Sequence, residues 1–274
     1  MNLRLFLSDV DGTLVRPDKS LGEPVVAAVQ RLLAAGVPVS IISARPPSGL
    51  LWIAERLGLT APIGAFNGGT IVRPDGTVLS ATHLDQQVAA RTLALIARPG
   101  VIRWVFAKGQ WHTDRLDDHY TPRERVTSAQ DPVVCSDFGP LLDAVDKIVA
   151  VSSDHPMLAA LEDEVATALG EGAEVARSQP YYLDVTAPTA NKGDGIAALA
   201  AALGIALSDV AVIGDQYNDL PMFRRAGLSI AMGQAPEDVR KAAMRVTGAS
   251  DADGVAQAIE TILLPLVSAS MIRD

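Results

Sequence analysis

The sequence predicts an α/β fold, a doubly wound and mostly parallel core sheet into which a smaller α+β layer is inserted. Three observations lead there. Apolar runs rich in β-branched residues alternate with helix-length amphipathic stretches near both ends of the chain, the rhythm that builds a parallel sheet covered by helices. That rhythm breaks in the middle, where a hairpin pattern and isolated helices replace it. Acidic residues cluster at the ends of two apolar runs, where open parallel sheets bind ligands.

Residues 3–7 read as a buried first strand. Val25, Val26, Val29, Leu32 and Leu33 then recur at helical spacing, Gly36 stands where a C-cap is needed, and 37–42 reads as the next strand. A second helix over 48–57 stops at Gly58, and short extended segments over 65–72 and 77–80 flank a turn at Pro74-Asp75-Gly76. After a helical stretch over 85–97, segments 101–106 and 111–113 read as a hairpin joined through Lys108-Gly109. A strand over 143–151, a helix marked by Leu158, Leu161, Val165 and Leu169, and an extended 181–185 complete the irregular middle. From Lys192 the alternation returns: helix 193–203, strand 210–213, helix 220–226, then short elements to Leu264. The expected organisation is a Rossmann-like core from residues 1–82 and 185–274, with 83–184 as an inserted α+β cap.

Composition narrows the function. With 274 residues, 49% hydrophobic and 20% charged, the chain has ordinary globular usage and a sizeable core. Its 32 acidic residues outnumber 23 basic ones, for a net charge of -9, which disfavours nucleic acid and anionic lipid as partners. Cys135 is the only cysteine, so no intrachain disulfide forms. The first acids, Asp9 and Asp11, interrupt any leader-like apolar run, and no stretch has the length of a membrane span. A cytoplasmic enzyme, monomeric or weakly dimeric, is the expectation.

Asp9-Val10-Asp11-Gly12-Thr13 follows the first strand directly. Two carboxylates at this spacing can divide labour, one as nucleophile and ligand of a hard cation, the other as proton donor to a leaving group. Gly12 permits a sharp turn and Thr13 offers a hydroxyl. An Asp-Gly turn is the plain alternative, whereas a calcium loop fails because Leu14 and Val15 supply no side-chain oxygen. Val210 to Gly214 is a second buried run, ending in Asp215, Asn218 and Asp219. One acid from each strand end suits Mg²⁺, which keeps water and substrate phosphate in its remaining positions. Ser43 ends another buried run and Lys192 opens the helix after the insertion. Each has an ordinary structural reading, turn or solvent. Together they are the hydroxyl and ammonium that a phosphoryl group needs.

The order Asp-x-Asp-Gly-Thr, strand-end Ser, Lys, Gly-Asp-x-x-Asn-Asp resembles the haloacid dehalogenase superfamily, and more narrowly its Cof-type phosphatases, whose cap lies between the Ser and Lys motifs. Asn67-Gly68-Gly69, Tyr182-Leu183-Asp184-Val185, Asn191-Lys192-Gly193, Ala231-Met232-Gly233 and Asp253-Gly254-Val255-Ala256 extend the match over both arms of the core. The resemblance implies a Mg²⁺-dependent phosphatase of a small phosphorylated metabolite, a sugar phosphate or a phosphorylated cofactor. In it Asp9 would be phosphorylated, Asp11 would act as acid and then base, and Ser43 and Lys192 would hold the phosphoryl group. It further implies metal ligation by the Asp9 carboxylate, the Asp11 carbonyl and Asp215, with Asn218 and Asp219 orienting them. Gly12, Thr13, Ala44, Arg45, Asn67, Gly68 and Asn191 would line the substrate. Ala44 and Gln234 depart from the family's usual glycine and asparagine. A phosphomutase with the same covalent chemistry, or a phospho-accepting module without turnover, are the competing readings. His83, His112, His119 and His155 have no metal-ligand spacing.

Overall fold

The structure is a computed structural model that describes residues 2–117 and 119–271. The chain opens with β1 (Leu5–Ser8), α1 (Glu23–Ala34), β2 (Val39–Ile41) and α2 (Ser48–Leu57). Gly58 closes α2 in the left-handed region, at φ 68°. β3 (Ile63–Ala65), β4 (Thr70–Val72) and β5 (Val78–Ala81) form a small antiparallel sheet, tied to the core through a bridge between Ile42 and Gly64.

The middle of the chain supplies α3 (Gln86–Leu95), β6 (Ile102–Ala107), β7 (Gln110–Thr113), α4 (Thr121–Ser128), β8 (Val133–Val134), β9 (Val145–Val151), α5 (His155–Leu169), β10 (Glu174–Gln179) and β11 (Tyr182–Thr186). Lys108 and Gly109, at φ 55° and 74°, make the turn between β6 and β7, the left-handed pair that a two-residue hairpin requires. The strands join in the order β10-β11-β9-β6-β7-β8, antiparallel except between β7 and β8. The boundary expected at 184/185 falls inside β11. The strand expected over 143–151 starts at Val145, because Gly139–Ala144 wind into a 3₁₀ turn with Pro140 near its start.

The chain then returns through α6 (Lys192–Ala202), β12 (Val210–Gly214), α7 (Leu220–Arg225), β13 (Leu228–Ala231), α8 (Glu237–Ala242), β14 (Arg245–Val246), α9 (Gly254–Ala258) and α10 (Leu264–Met271). The core sheet has the order β14-β13-β12-β1-β2, every neighbour parallel. Its side chains alternate between two apolar layers. Phe6, Ala211, Ile213 and Ile230 face the layer containing α1 and α9, whereas Leu5, Leu7, Val210 and Val212 face that of α6 and α7. The chain leaves β1 toward β2 on one side and continues from β12 toward β14 on the other. Between β1 and β12 it therefore opens the crevice in which doubly wound sheets bind ligands.

The inserted sheet has two faces. Val105, Ile148, Ala150 and Leu183 pack with α3 and α5, while Trp104, Phe106, Trp111, Val149 and Tyr182 join the apolar layer of the core. Phe66 of the core and Phe106 of the insert meet with ring centres 5.8 Å apart. The insert thus rests over the carboxyl ends of the core strands.

Candidate active site

The site grows from the ends of β1 and β12. The Asp9 amide donates to the Ile213 carbonyl at 3.0 Å, which carries the β1–β12 ladder one step past β1. This sets Asp9 beside Gly214 and Asp215. Lys192, at the start of α6, is 2% exposed. Its Nζ donates to Asp9 Oδ1 and Asp219 Oδ1. Burial opposes the charge on Lys192, but Asp219 and Asp9 outweigh it and raise the ammonium pKa. Burial pushes the Asp9 carboxyl well up, opposed by Lys192 and reinforced by Asp219 and Asp215. Burial and Asp219 also push Asp215 up, to about 6.

Asp219 is fully used. Lys192 holds its Oδ1, and the amides of Asp215 and Gln216 donate to Oδ2 at 2.7 and 2.9 Å. Thr13 Oγ1 donates to Asp215 Oδ1 at 2.9 Å, so the Thr13 hydroxyl positions an acid. Gly12 has φ 81°, and a Cβ there would lie 2.5 Å from Asp215 Oδ2, so no larger residue fits without displacing that carboxylate. Gln234 Nε2 donates to the Gly12 carbonyl and Oε1 accepts from the Ser250 amide, so the longer amide at this position ties two loops together.

Oxygens of Asp9, Asp215 and Asp219 lie within 4.8 Å of one another. These are hard carboxylate donors, the type Mg²⁺ takes. Because Asp219 is spent on Lys192 and two amides, Asp9 and Asp215 are the carboxylates left for a cation.

Asp11 has a different environment. Arg45 Nε and Nη2 each donate to it at 2.7 Å, and Lys19 Nζ adds a third bond at 2.7 Å. Although burial opposes ionisation, Arg45 and Lys19 hold the Asp11 carboxyl down at about 2. In this arrangement Asp11 is an ionised and weakly basic carboxylate with no proton to donate. Ser43, 2% exposed, receives the Arg45 amide on its Oγ at 3.2 Å, and among the described residues nothing accepts from the Ser43 hydroxyl, which leaves its proton for a ligand. The Ala44 carbonyl accepts from Lys147 Nζ at 3.0 Å, a bond from the insert to the loop that carries Ser43 and Arg45.

A cleft with about 80 Å³ of free space unites Asp9, Asp11, Ser43, Ala44, Arg45 and Asn218. Asn67 lies in a smaller neighbouring cleft that shares Asn218 and Ser178 with the first. Gly68 and Asn191 line neither. A Cβ at Gly68, with φ 95°, would lie 2.4 Å from Gly195 Cα, so its role is the close approach to α6. Asn191 caps α6, accepting from the Asp194 amide at 3.0 Å, and so holds the turn that presents Lys192.

Sequence reasoning missed Lys19, Arg123, Glu124, Lys147, Tyr181 and Gln216, which also line the cleft. Only Lys147 left a signal, a lysine inside the apolar run of β9.

The haloacid dehalogenase-like hydrolase family model matches residues 6–259. The chain belongs to this family, as its motif order implied, and it is a phosphatase. It is 31% identical over 245 residues to the HMP-PP phosphatase of Cronobacter sakazakii, covering 85% of each chain. It superposes on a haloacid dehalogenase-like hydrolase from Bacteroides thetaiotaomicron with a TM-score of 0.84 at 29% identity, covering 95% of this chain and 100% of the other. A sugar phosphatase of HAD subclass IIB shares the fold, with a TM-score of 0.81 at 24% identity over 94% and 98% of the two chains.

Proposed function

We propose that the protein is a Mg²⁺-dependent phosphatase of a small phosphorylated metabolite, a sugar phosphate or a phosphorylated cofactor, working through a phosphorylated Asp9. The observation that carries this reading is Asp9 itself, buried at a strand end in the cleft, with Lys192 on Oδ1 and Asp215 beside it. Asp9 and Asp215, with the Asp11 carbonyl, would hold the cation, which supplies charge neutralisation between carboxylate and phosphate.

The other groups follow from their partners. Lys192 fixes the Asp9 carboxylate in one orientation and offers positive charge to the phosphoryl oxygens. The Ser43 hydroxyl is free to donate to another of them. Asp219 orients Lys192 and the Asp215 backbone, and thereby both sides of the reacting carboxylate. Asp11, clamped as a weakly basic carboxylate by Arg45 and Lys19, gains the basicity to take a proton from the water that releases phosphate from Asp9 only once those cations part from it. To give a proton to the leaving group it must first part from Arg45 and Lys19, and substrate phosphate is an anion able to draw those cations away. The inserted residues 83–184 act as the lid that supplies selectivity.

Acid quench during turnover, followed by mass analysis of the Asp9 peptide, tests this. A phosphorylated Asp9 that accumulates only with Mg²⁺ is expected. Steady phosphate release after exhaustive chelation, or turnover with no covalent species, would overturn it.

A further inference from the structure

Two buried carboxyls of the insert, Glu124 and Asp184, lie about the catalytic cleft and the one beside it, and the chemistry above uses neither. Glu124, in the first turns of α4, is 5% exposed and lines the catalytic cleft, yet no side chain among the described residues donates to its carboxyl. Burial pushes it up to about 7, with Lys147 opposing. Asp184 on β11 is 5% exposed, and neither of its oxygens has a close donor among the described residues. Burial raises it too, against the pull of Lys147 and Ser178. Lys147 is the nearest cation, with Nζ 3.7 Å from Asp184 Oδ2, and it already donates to the Ala44 carbonyl. Arg123 lies over the Tyr181 ring, 5.1 Å from its centre. The Asn218 Oδ1, shared by the catalytic cleft and the one beside it, and Tyr182 Oη in the catalytic cleft are likewise buried with no partner among the described residues.

On the insert's side of the cleft, then, the Glu124 carboxyl receives no donor from the described residues: Arg123 lies over the Tyr181 ring, Lys147 donates to the Ala44 carbonyl, and Tyr182 Oη has no partner. Leaving a buried carboxyl unpaired costs about 1–3 kcal/mol or more, a cost removed when a ligand supplies the missing donors. A hydroxyl brings acceptor lone pairs of its own along with its proton, whereas an ammonium brings only donors and a charge opposite to the carboxylate.

Resting on the phosphatase reading, we propose that Glu124 is the specificity-determining residue of the leaving-group side, and that it receives an amino or ammonium group carried by the alcohol part of the phosphate ester. Lys147 and Asp184 stand behind it as a pair that fixes the insert against Ala44. The acid of the insert selects the leaving group, while Asp9, Lys192 and Ser43 deal only with phosphate.

The test compares aminoethyl, hydroxyethyl and propyl phosphates, with their one-carbon homologues, against wild type and Glu124→Gln. Wild type should favour the amine over its methyl isostere in kcat/KM by at least about tenfold, and the ratio should fall toward unity in the variant. Glu124→Asp should restore part of it, which a purely structural role for the side chain would not do. Equal kcat/KM for the three esters in wild type, a preference for the hydroxyl ester, or a ratio untouched in Glu124→Gln would overturn the inference while leaving the phosphatase reading in place. Failure to hydrolyse any ester, p-nitrophenyl phosphate included, would overturn that reading and the inference with it.

Discussion

The two halves of the cleft are finished to different degrees. On the core side each buried charge has an answer: Lys192 lies between Asp9 and Asp219, Asp219 is closed by two amides, Thr13 holds Asp215, and Arg45 and Lys19 clamp Asp11. On the insert side no side chain among the described residues donates to the buried Glu124 carboxyl, and Asp184 has Lys147 only at 3.7 Å. A preorganised half suits a group that every substrate shares, because fixed dipoles and charges need no rearrangement when phosphate arrives. A half with unmet acceptors suits the part that differs, since only a matching leaving group satisfies it.

The largest expected effect lies at the centre of the core half. Asp9→Asn should lower kcat by at least about 10³, because an amide oxygen is a poor nucleophile, with far-UV circular dichroism unchanged. Phosphate release from p-nitrophenyl phosphate measures it. Activity near wild type would remove Asp9 from the chemistry and with it the contrast between the halves.

Lys192→Met strikes the same half through stability. It leaves the Asp9 and Asp219 carboxylates buried with no counter-charge, which costs about 3–5 kcal/mol. Urea unfolding of the variant reads the loss, and added Mg²⁺ should recover part of it by taking the place of the ammonium. An unchanged midpoint would mean that the core side is not held together by this lysine.

A comparison across pH sharpens the other half. Glu124 has a folded pKa of about 7, above the unfolded value of about 4.3. Its burial therefore costs nothing below the unfolded value, and wild type loses stability as pH climbs toward the folded one. Burial is the main cause, Lys147 and Arg45 oppose it, and Asp184 and Asp11 add to it. Glu124→Gln should gain on wild type by about 3 kcal/mol between about pH 4 and about pH 8. A difference that stays flat across this range would show that a donor reaches Glu124 in solution.

The same division decided what could be read from sequence. The core announces itself because strand-end ligands follow apolar runs: Asp9 after β1, Ser43 after β2 and Asp215 after β12 are each found by locating a buried strand and stepping past it. Lys192 comes with its cap, Asn191, at a helix start. Residues of the insert carry no such signal. Helix α4, Thr-Pro-Arg-Glu-Arg-Val-Thr-Ser, has no apolar periodicity, so neither the helix nor Glu124 stands out, and Glu124 is buried only because the cleft closes around it. Strand β10 is half-buried and carries Glu, Arg, Ser and Gln, which hides it equally. The clamp on Asp11 was out of reach for another reason. Arg45 and Lys19 meet Asp11 through side-chain directions on three loops, which spacing alone does not define.

The smallest expected effect isolates one contact of the core half. Gly12 and Gly36 both have positive φ, 81° and 83°, so alanine at either position carries the same backbone strain, about 1 kcal/mol. They differ in what the new Cβ would meet. At Gly36 nothing lies within 4 Å, whereas at Gly12 the carboxylate of Asp215 is at 2.5 Å. Gly36→Ala should therefore lower the unfolding midpoint and leave the Mg²⁺ concentration for half-maximal activity where it was. Gly12→Ala should lower the midpoint by a similar amount and raise that Mg²⁺ concentration about tenfold, an effect of about 1.4 kcal/mol, because Asp215 must turn away from Thr13 and from the place beside Asp9. Subtracting one variant from the other removes the strain and leaves the displacement of a single acid. Equal Mg²⁺ requirements in the two variants would mean that Asp215 is not a ligand of the activating cation.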